Sequence, residues 1–258
     1  KKLVNKRGTA SGWVGETDAR GNTNTPQLAE LAAFMGEIYA NPQATQQMLD
    51  DVFFDAEKWL GEEVSTEFSY QENIAFTTGD GANKPKGFLA YATAAQNDAA
   101  RAFGTIQYFA TGQAAALRPS TAAANAADDL LDMIYSLKEA YRAGALFLMN
   151  SLTTAQFRKL KDQQGNYIWQ PSMQAGQPDT IHGYGVRTAE SMPDIAANTL
   201  PVAFANWKLA YTIVDRIGSR VLRDPFTNKP YVGFYTTKRV GGMLVNSQAI
   251  KLLKVAAA

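Results

Sequence analysis

Between Asp55 and Thr77 the residues Ala56, Leu60, Val64 and Phe68 recur every four positions, and Ala75 continues the stripe after a polar gap. That period belongs to an amphipathic helix and not to a strand. Asp55 is placed to cap its start, and Gly79 to end it in a left-handed turn. At about 1.5 Å per residue such a helix spans about 35 Å, which is long for a globular protein. The rest of the chain has to pack along this rod.

The residue inventory removes much familiar chemistry. The chain of 258 residues has no cysteine, so it has no disulfide, thiolate metal site or cysteine nucleophile. Its one histidine, His182, excludes a multi-histidine metal cage within one chain. No run of about 18 apolar residues is present, so no membrane span is expected. No signal peptide is visible at the first residues.

Residues 1–26 are rich in Gly, Thr and Asn and offer little to a core. Thr9 to Glu16 reads as one extended side of a projecting hairpin, with Trp13 and Val14 on opposite faces. Leu28 to Tyr39 is apolar without a clean period, Asn41-Pro42 breaks the chain, and Thr45 to Asp51 suits a short helix. The run from Gly79 to Gly87 follows a helix and lacks a Lys-Ser/Thr pair, so it reads as a turn and not a phosphate loop. Ala92 to Asn125 is alanine-rich, with a surface loop near Leu117 to Ser120.

Asp128 to Arg142 reads as one amphipathic helix, Ala145 to Met149 as a strand, Thr153 to Leu160 as a second helix and Asn166 to Gln170 as a strand. This alternation suggests an α/β layer. Gly183 to Arg187 and Val202 to Ala205 suit further strands. From Gly218 onward the pattern is all β, through Arg220–Leu222 and Val232–Lys238 to the apolar Leu244, Ile250, Leu252 and Val255. Gly241-Gly242 marks a bend or bulge.

Charge is unevenly placed although the net is only +1. Thr45 to Thr78 holds eight acids against Lys58, and Arg216 to Ala258 holds eight bases against Asp224. Such blocks are either solvated faces or complementary surfaces that steer subunits together.

Several blocks together resemble the tailed-phage major capsid proteins with the Hong Kong-97 fold. They are Gly12-Trp13-Val14-Gly15-Glu16 with Arg20; the long helix ending in Gly79-Asp80-Gly81, then Lys84-Pro85-Lys86-Gly87-Phe88-Leu89; Leu148-Met149-Asn150-Ser151, then Gly165-Asn166-Tyr167-Ile168-Trp169-Gln170 and Ile181-His182-Gly183-Tyr184-Gly185-Val186; and Trp207-Lys208-Leu209-Ala210-Tyr211 through Asp215-Arg216 to Lys238-Arg239-Val240-Gly241-Gly242. Their order covers nearly the whole chain.

The resemblance implies an α+β fold with three parts. Residues 1–27 would be the returning part of an extended E-loop. Residues 28–91, with the spine helix 55–77, and residues 215–258 would form the peripheral (P) domain. Residues 92–214 would form the axial (A) domain. It implies a virion shell protein that self-assembles into pentamers and hexamers in the host cytoplasm and encloses double-stranded DNA held by non-specific contact. Portal and decoration proteins would be partners, with no cofactor, metal or membrane.

Trp13, Glu16 and Arg20 would contact a neighbouring subunit. The acidic spine segment, with Glu62, Glu63 and Glu67, and the basic strands, with Arg220, Arg223, Lys238 and Arg239, would attract each other within a subunit or across an interface. Two features depart from the family: little precedes the Trp13 block, and no acid follows Asp224 to assist a lysine–asparagine crosslink, so none is expected. Phage and gene-transfer particles both fit.

Other readings have weaker footholds. An encapsulin-type compartment would share the fold. An enzyme would need the carboxylates Asp128, Asp129 and Asp132, which at a helix start serve as caps. A nucleic-acid module would need the aromatics Phe226, Tyr231, Phe234 and Tyr235 exposed among the bases, whereas a sheet would pack them.

Overall fold

The structure is a computed structural model that describes residues 1–6, 11–51, 55–121, 125–162, 164–169 and 180–257. In chain order the elements are β1 (Lys2–Asn5), β2 (Leu28–Leu31), β3 (Phe34–Ala40), β4 (Gln43–Thr45), α1 (Gln46–Asp51), α2 (Ala56–Thr78), β5 (Thr93–Ala94), β6 (Ile106–Ala110), α3 (Ala126–Ser136) and α4 (Glu139–Arg142). There follow β7 (Leu146–Met149), α5 (Ser151–Arg158), β8 (Thr180–Ile181), β9 (Tyr184–Thr188), β10 (Val202–Ala205), α6 (Trp207–Ala210), β11 (Tyr211–Asp224), β12 (Tyr231–Leu244) and β13 (Ile250–Lys254).

The long helix forms as its pattern predicts. Asp55 caps α2 by accepting from the Lys58 amide at 3.0 Å, and Ala56, Val64 and Phe68 are buried along one side. The end differs from expectation. Gly79 has φ −55°, so it is not a left-handed cap. Its need for glycine is close approach, since a Cβ there would lie 2.1 Å from the Pro85 carbonyl oxygen and 2.4 Å from that of Ala75. Gly87 is packed in the same way, a Cβ meeting the Thr77 backbone at 2.5 Å. The Gly79–Gly87 run is therefore a tight return that locks the end of α2.

Three sheets organise the chain. A two-stranded ribbon pairs β1 with β2. A four-stranded sheet is built on the 14-residue strands β11 and β12, with β3 and β4 both paired to β12. A seven-stranded mixed sheet runs β5-β6-β13-β10-β7-β9-β8. The main core lies against this last sheet, and Leu130, Met133 and Ile134 of α3 belong to one buried cluster with Phe147, Phe204, Leu252 and Leu253. Helices and sheets coexist as the α+β expectation holds, with α2 reserved for the four-stranded sheet.

Several local expectations are corrected. Asp128–Arg142 is two helices, because the chain turns at Leu137 between α3 and α4. The Ala92–Asn125 stretch contains β5 and β6, whose alanine-rich surroundings masked them. Lys161 and Tyr167 form a single bridge in place of the Asn166–Gln170 strand, and Gln170 lies outside the described residues. Gly241 and Gly242 sit in regular pairing, and the irregularity falls opposite, between Asp215, Ile217 and Arg220 of β11. Residues 215–258 do not all return to one sheet: β13 lies between β6 and β10 in the seven-stranded sheet. Its buried run Ile-Lys-Leu-Leu reflects cover on both faces.

Candidate assembly interface

The first surface is the loop joining β1 to β2. Residues 11–27 are exposed throughout, and Trp13 is at 105% of its reference exposure. Glu16 and Arg20 lie exposed on the same loop. Gly15 and Asp18 close a small turn there, the Gly15 amide donating to Asp18 Oδ2 at 2.9 Å. Trp13 and Val14 therefore lie in the connecting loop and not in a paired strand as expected; Thr9 and Ala10 of that expectation lie outside the described residues. A bare indole in water forgoes roughly 1.5–3 kcal/mol of burial.

The second surface is the β11–β12 sheet, whose two faces differ. Val232, Phe234, Thr236 and Val240 alternate along β12 and are buried on the side of α2. Tyr235, Thr237 and Arg239 alternate onto the other face. Register places Leu222 opposite Tyr235, Arg220 and Tyr39 opposite Thr237, and Ile217 and Glu37 opposite Arg239. Leu222 is 63% and Tyr39 69% exposed, and the rings of Tyr39 and Tyr235 lie 6.3 Å apart. This face is aromatic and basic, and no layer of the described residues covers it. Sequence reasoning packed Phe226, Tyr231, Phe234 and Tyr235 in a sheet; only Phe234 of the four is buried, and Phe226, Tyr231 and Tyr235 are exposed.

Within the chain the charge blocks meet through Glu57 and Glu72 of the acidic segment. Arg223 Nε lies 2.9 Å from Glu57, and Lys238 Nζ lies 2.5 Å from Glu72 and 3.8 Å from Asp215. Glu62 instead pairs with Lys58 on its own helix at 3.9 Å, Glu67 accepts from Gln71 at 2.8 Å, and Glu63 is exposed. Arg220 and Arg239 point to the open face, where Arg239 lies 3.9 Å from Glu37. The helical period explains this. Glu57 and Glu72 sit near the buried Val64–Phe68 stripe, whereas Glu62 and Glu63 fall on the far side. The Lys238–Glu72 pair is 22% and 15% exposed. Glu72→Gln is therefore expected to cost about 1–2 kcal/mol in urea unfolding, between the surface and buried limits. Glu62→Gln should stay within about 0.5 kcal/mol.

The acids raised as catalytic candidates do other work. Asp128 completes a capping box, accepting from the Asn125 amide at 2.8 Å. Asp129 is not a cap: it is buried and paired with Arg118. Outside that cluster, Asp80 holds a turn, its Oδ1 accepting from the Ala82 amide. His182 is exposed with φ 50° beside Gly183. Among the described residues no group of three or more potential ligands is placed to hold a metal, and no helix is long and apolar enough to cross a membrane.

A buried network went unseen in the sequence. Lys251 of β13 is fully buried, and its Nζ donates to Asp98 Oδ1 at 2.6 Å and to Gln107 Oε1 at 2.5 Å. Arg101 donates to the same Asp98 oxygen and to Ser247, and Gln107 lies in register with Lys251 on β6. Burial pushes the Asp98 carboxyl up, but hydrogen bonds from Lys251 and Arg101 outweigh it and hold it below the ordinary value. Burial lowers the Lys251 pKa, and Asp98 offsets only part of that.

The sequence profile described as the phage capsid family matches residues 1–255. The chain belongs to the phage capsid family. Among solved structures it is similar to the capsid of a native GTA particle, at 44% identity and a TM-score of 0.90, over 99% of this chain and 84% of that one. It is similar to the capsid of an empty GTA particle at 43% identity and a TM-score of 0.89, with the same coverage. The encapsulin SrpI from Synechococcus elongatus PCC 7942 matches at 12% identity and a TM-score of 0.61, over 99% of this chain and 83% of that one, which shows the fold alone. No curated protein matched the sequence. The chain is thus a major capsid protein, a structural subunit that forms a shell, and the encapsulin reading gives way to the capsid reading.

Proposed function

We propose that copies of this chain build an icosahedral-type shell of pentamers and hexamers around packaged double-stranded DNA, in a particle of the GTA type. The GTA affinity rests on 43–44% identity over 99% of the chain. In this reading residues 1–27 are the E-loop, α2 with the β11–β12 sheet is the P domain, and the seven-stranded sheet, β13 included, is the A domain. Assembly runs in the host cytoplasm on a portal, decoration proteins are further partners, and DNA is held without sequence readout.

The observation that carries the shell reading is a pair of apolar surfaces left in water by a single chain: Trp13 on its loop, and the Tyr39, Tyr235, Ile217 and Leu222 face. We infer that the Trp13 loop of one copy lies on that face of the next. Glu16 then comes to Arg220 and Arg239, and the rim charges set register more than affinity. Electron microscopy of the purified chain is the test. Closed shells are expected, and a protein that stays monomeric at all concentrations and salts would refute the proposal.

A further inference from the structure

Two adjacent side chains of the loop that joins β6 to α3 reach the body of the chain. Residues 112–116 and 119–121 are exposed. Leu117 packs against the main core, and Arg118 Nη2 lies 2.9 Å from Asp129 Oδ1 in the first turns of α3. The Asp129 side chain is 3% exposed and that of Arg118 is 35% exposed. The grip is single-pronged. Asp129 Oδ2 and Arg118 Nε are both buried without a hydrogen-bond partner among the described residues. A proton taken up on the unpartnered Oδ2 leaves Oδ1 facing Arg118 as a neutral carbonyl oxygen, and the contact loses the charge that makes such a bond strong.

We propose that the Arg118–Asp129 pair is a pH-operated latch on residues 112–121, closed while Asp129 is ionised and released when it takes up a proton. Burial pushes the Asp129 carboxyl up to about 6; Arg118 pulls it down, and Asp132 and Asp128 push it further up. The strands that α3 packs against bring Tyr108 on β6 and Lys251 and Lys254 on β13. Lys251 is taken up by Asp98 and Gln107, and Lys254 lies over the Tyr108 ring. Arg118 is thus the cation that answers Asp129. Once Asp129 is neutral, the guanidinium gains more from water than from a neutral oxygen, and the loop loses its charged tether.

The sign of the linkage makes this distinguishable from general loosening in acid. Asp129 is an acid whose folded value lies above the ordinary 3.8, so the fold penalises its charged form. That penalty is present above about pH 6 and is relieved as pH falls from 6 toward 3.8. Acidification therefore relieves the body of the fold at this site while it frees the loop.

Hydrogen exchange of the purified chain at pH 7.5 and 5.0, normalised for intrinsic rates, tests the latch. In the wild-type chain the amides of residues 112–121 are expected to exchange about fivefold faster at pH 5.0, with those of β6 unchanged. Asp129→Asn should show the fast loop at both pH values, with a thermal midpoint at pH 7.5 no lower than wild type. Arg118→Gln should likewise lose the pH response. Equal loop protection at the two pH values in the wild-type chain, or a pH response that survives Asp129→Asn, overturns the proposal. The test needs no shell and is independent of the assembly reading.

Discussion

Asp98→Ala is expected to destabilise the folded subunit by about 3–5 kcal/mol, the range for stripping one partner from a buried charge. Lys251 is fully buried and the side chain of Arg101 is 2% exposed, and both donate to the one Asp98 oxygen. Without that carboxylate two cations face each other, answered only by neutral groups, the Gln107 amide, the Ser247 hydroxyl and carbonyls. For a chain of this size each kcal/mol moves the thermal midpoint by about 2–4 °C, so a drop of roughly 10 °C is expected in a scan of unassembled subunits. Lys251→Met should cost less, because it removes a buried cation and leaves Asp98 with Arg101. The loss should also be flat with pH near neutrality. Asp98 titrates below its ordinary 3.8 in the fold, so its contribution is present above that value and is lost only as pH falls through the lower, folded value. A variant within 1 kcal/mol of wild type would show that the network is not needed by the core.

The contrast between α2 and this network explains what was legible in the sequence. The helix was readable to within a residue at each end because its cap, its period and its terminator are all local in sequence. Trp13 was readable as a surface residue because nothing around it can form a core. Lys251 offered one faint signal, a lone lysine in an apolar run, but its partners Asp98 and Gln107 are 153 and 144 residues away. No spacing rule reaches that far. The place of β13 was missed for the same reason, since strand partners are set by topology while a period sets only the element. The charge blocks were legible as blocks, but which acids reach the strands depends on the rotation of α2 about its axis. The pairing of β1 with β2 across residues 6–27 falls between these cases. The glycine-rich loop was visible, and the strands that anchor it were too short to show a period.

Removing residues 11–24, or replacing Trp13 with alanine, is expected to abolish or sharply weaken assembly and leave the subunit folded. Residues 11–27 are exposed, and none of the core residues of the described chain lies among them. The β1–β2 pairs from Lys2↔Leu31 to Asn5↔Leu28 remain to close the shorter loop. The thermal midpoint of the monomer should therefore move by no more than the equivalent of about 0.5 kcal/mol. Assembly has the opposite sensitivity. Burying the Trp13 side chain against a neighbour stabilises each contact by about 1.5–3 kcal/mol, and every 1.4 kcal/mol is a factor of ten in association. Trp13→Ala alone should then raise the concentration at which shells form by about tenfold to a hundredfold, and the deletion should leave no shells at any practical concentration. Sedimentation of the variants beside wild type reads both outcomes in one experiment. Val14→Ala is the internal comparison, because it lies in the same loop with a smaller apolar side chain at 49% exposure, and a milder effect is expected. Shells from the deletion at wild-type yield would place the contacts that hold the particle elsewhere, and the open face of the β11–β12 sheet would then need another occupant.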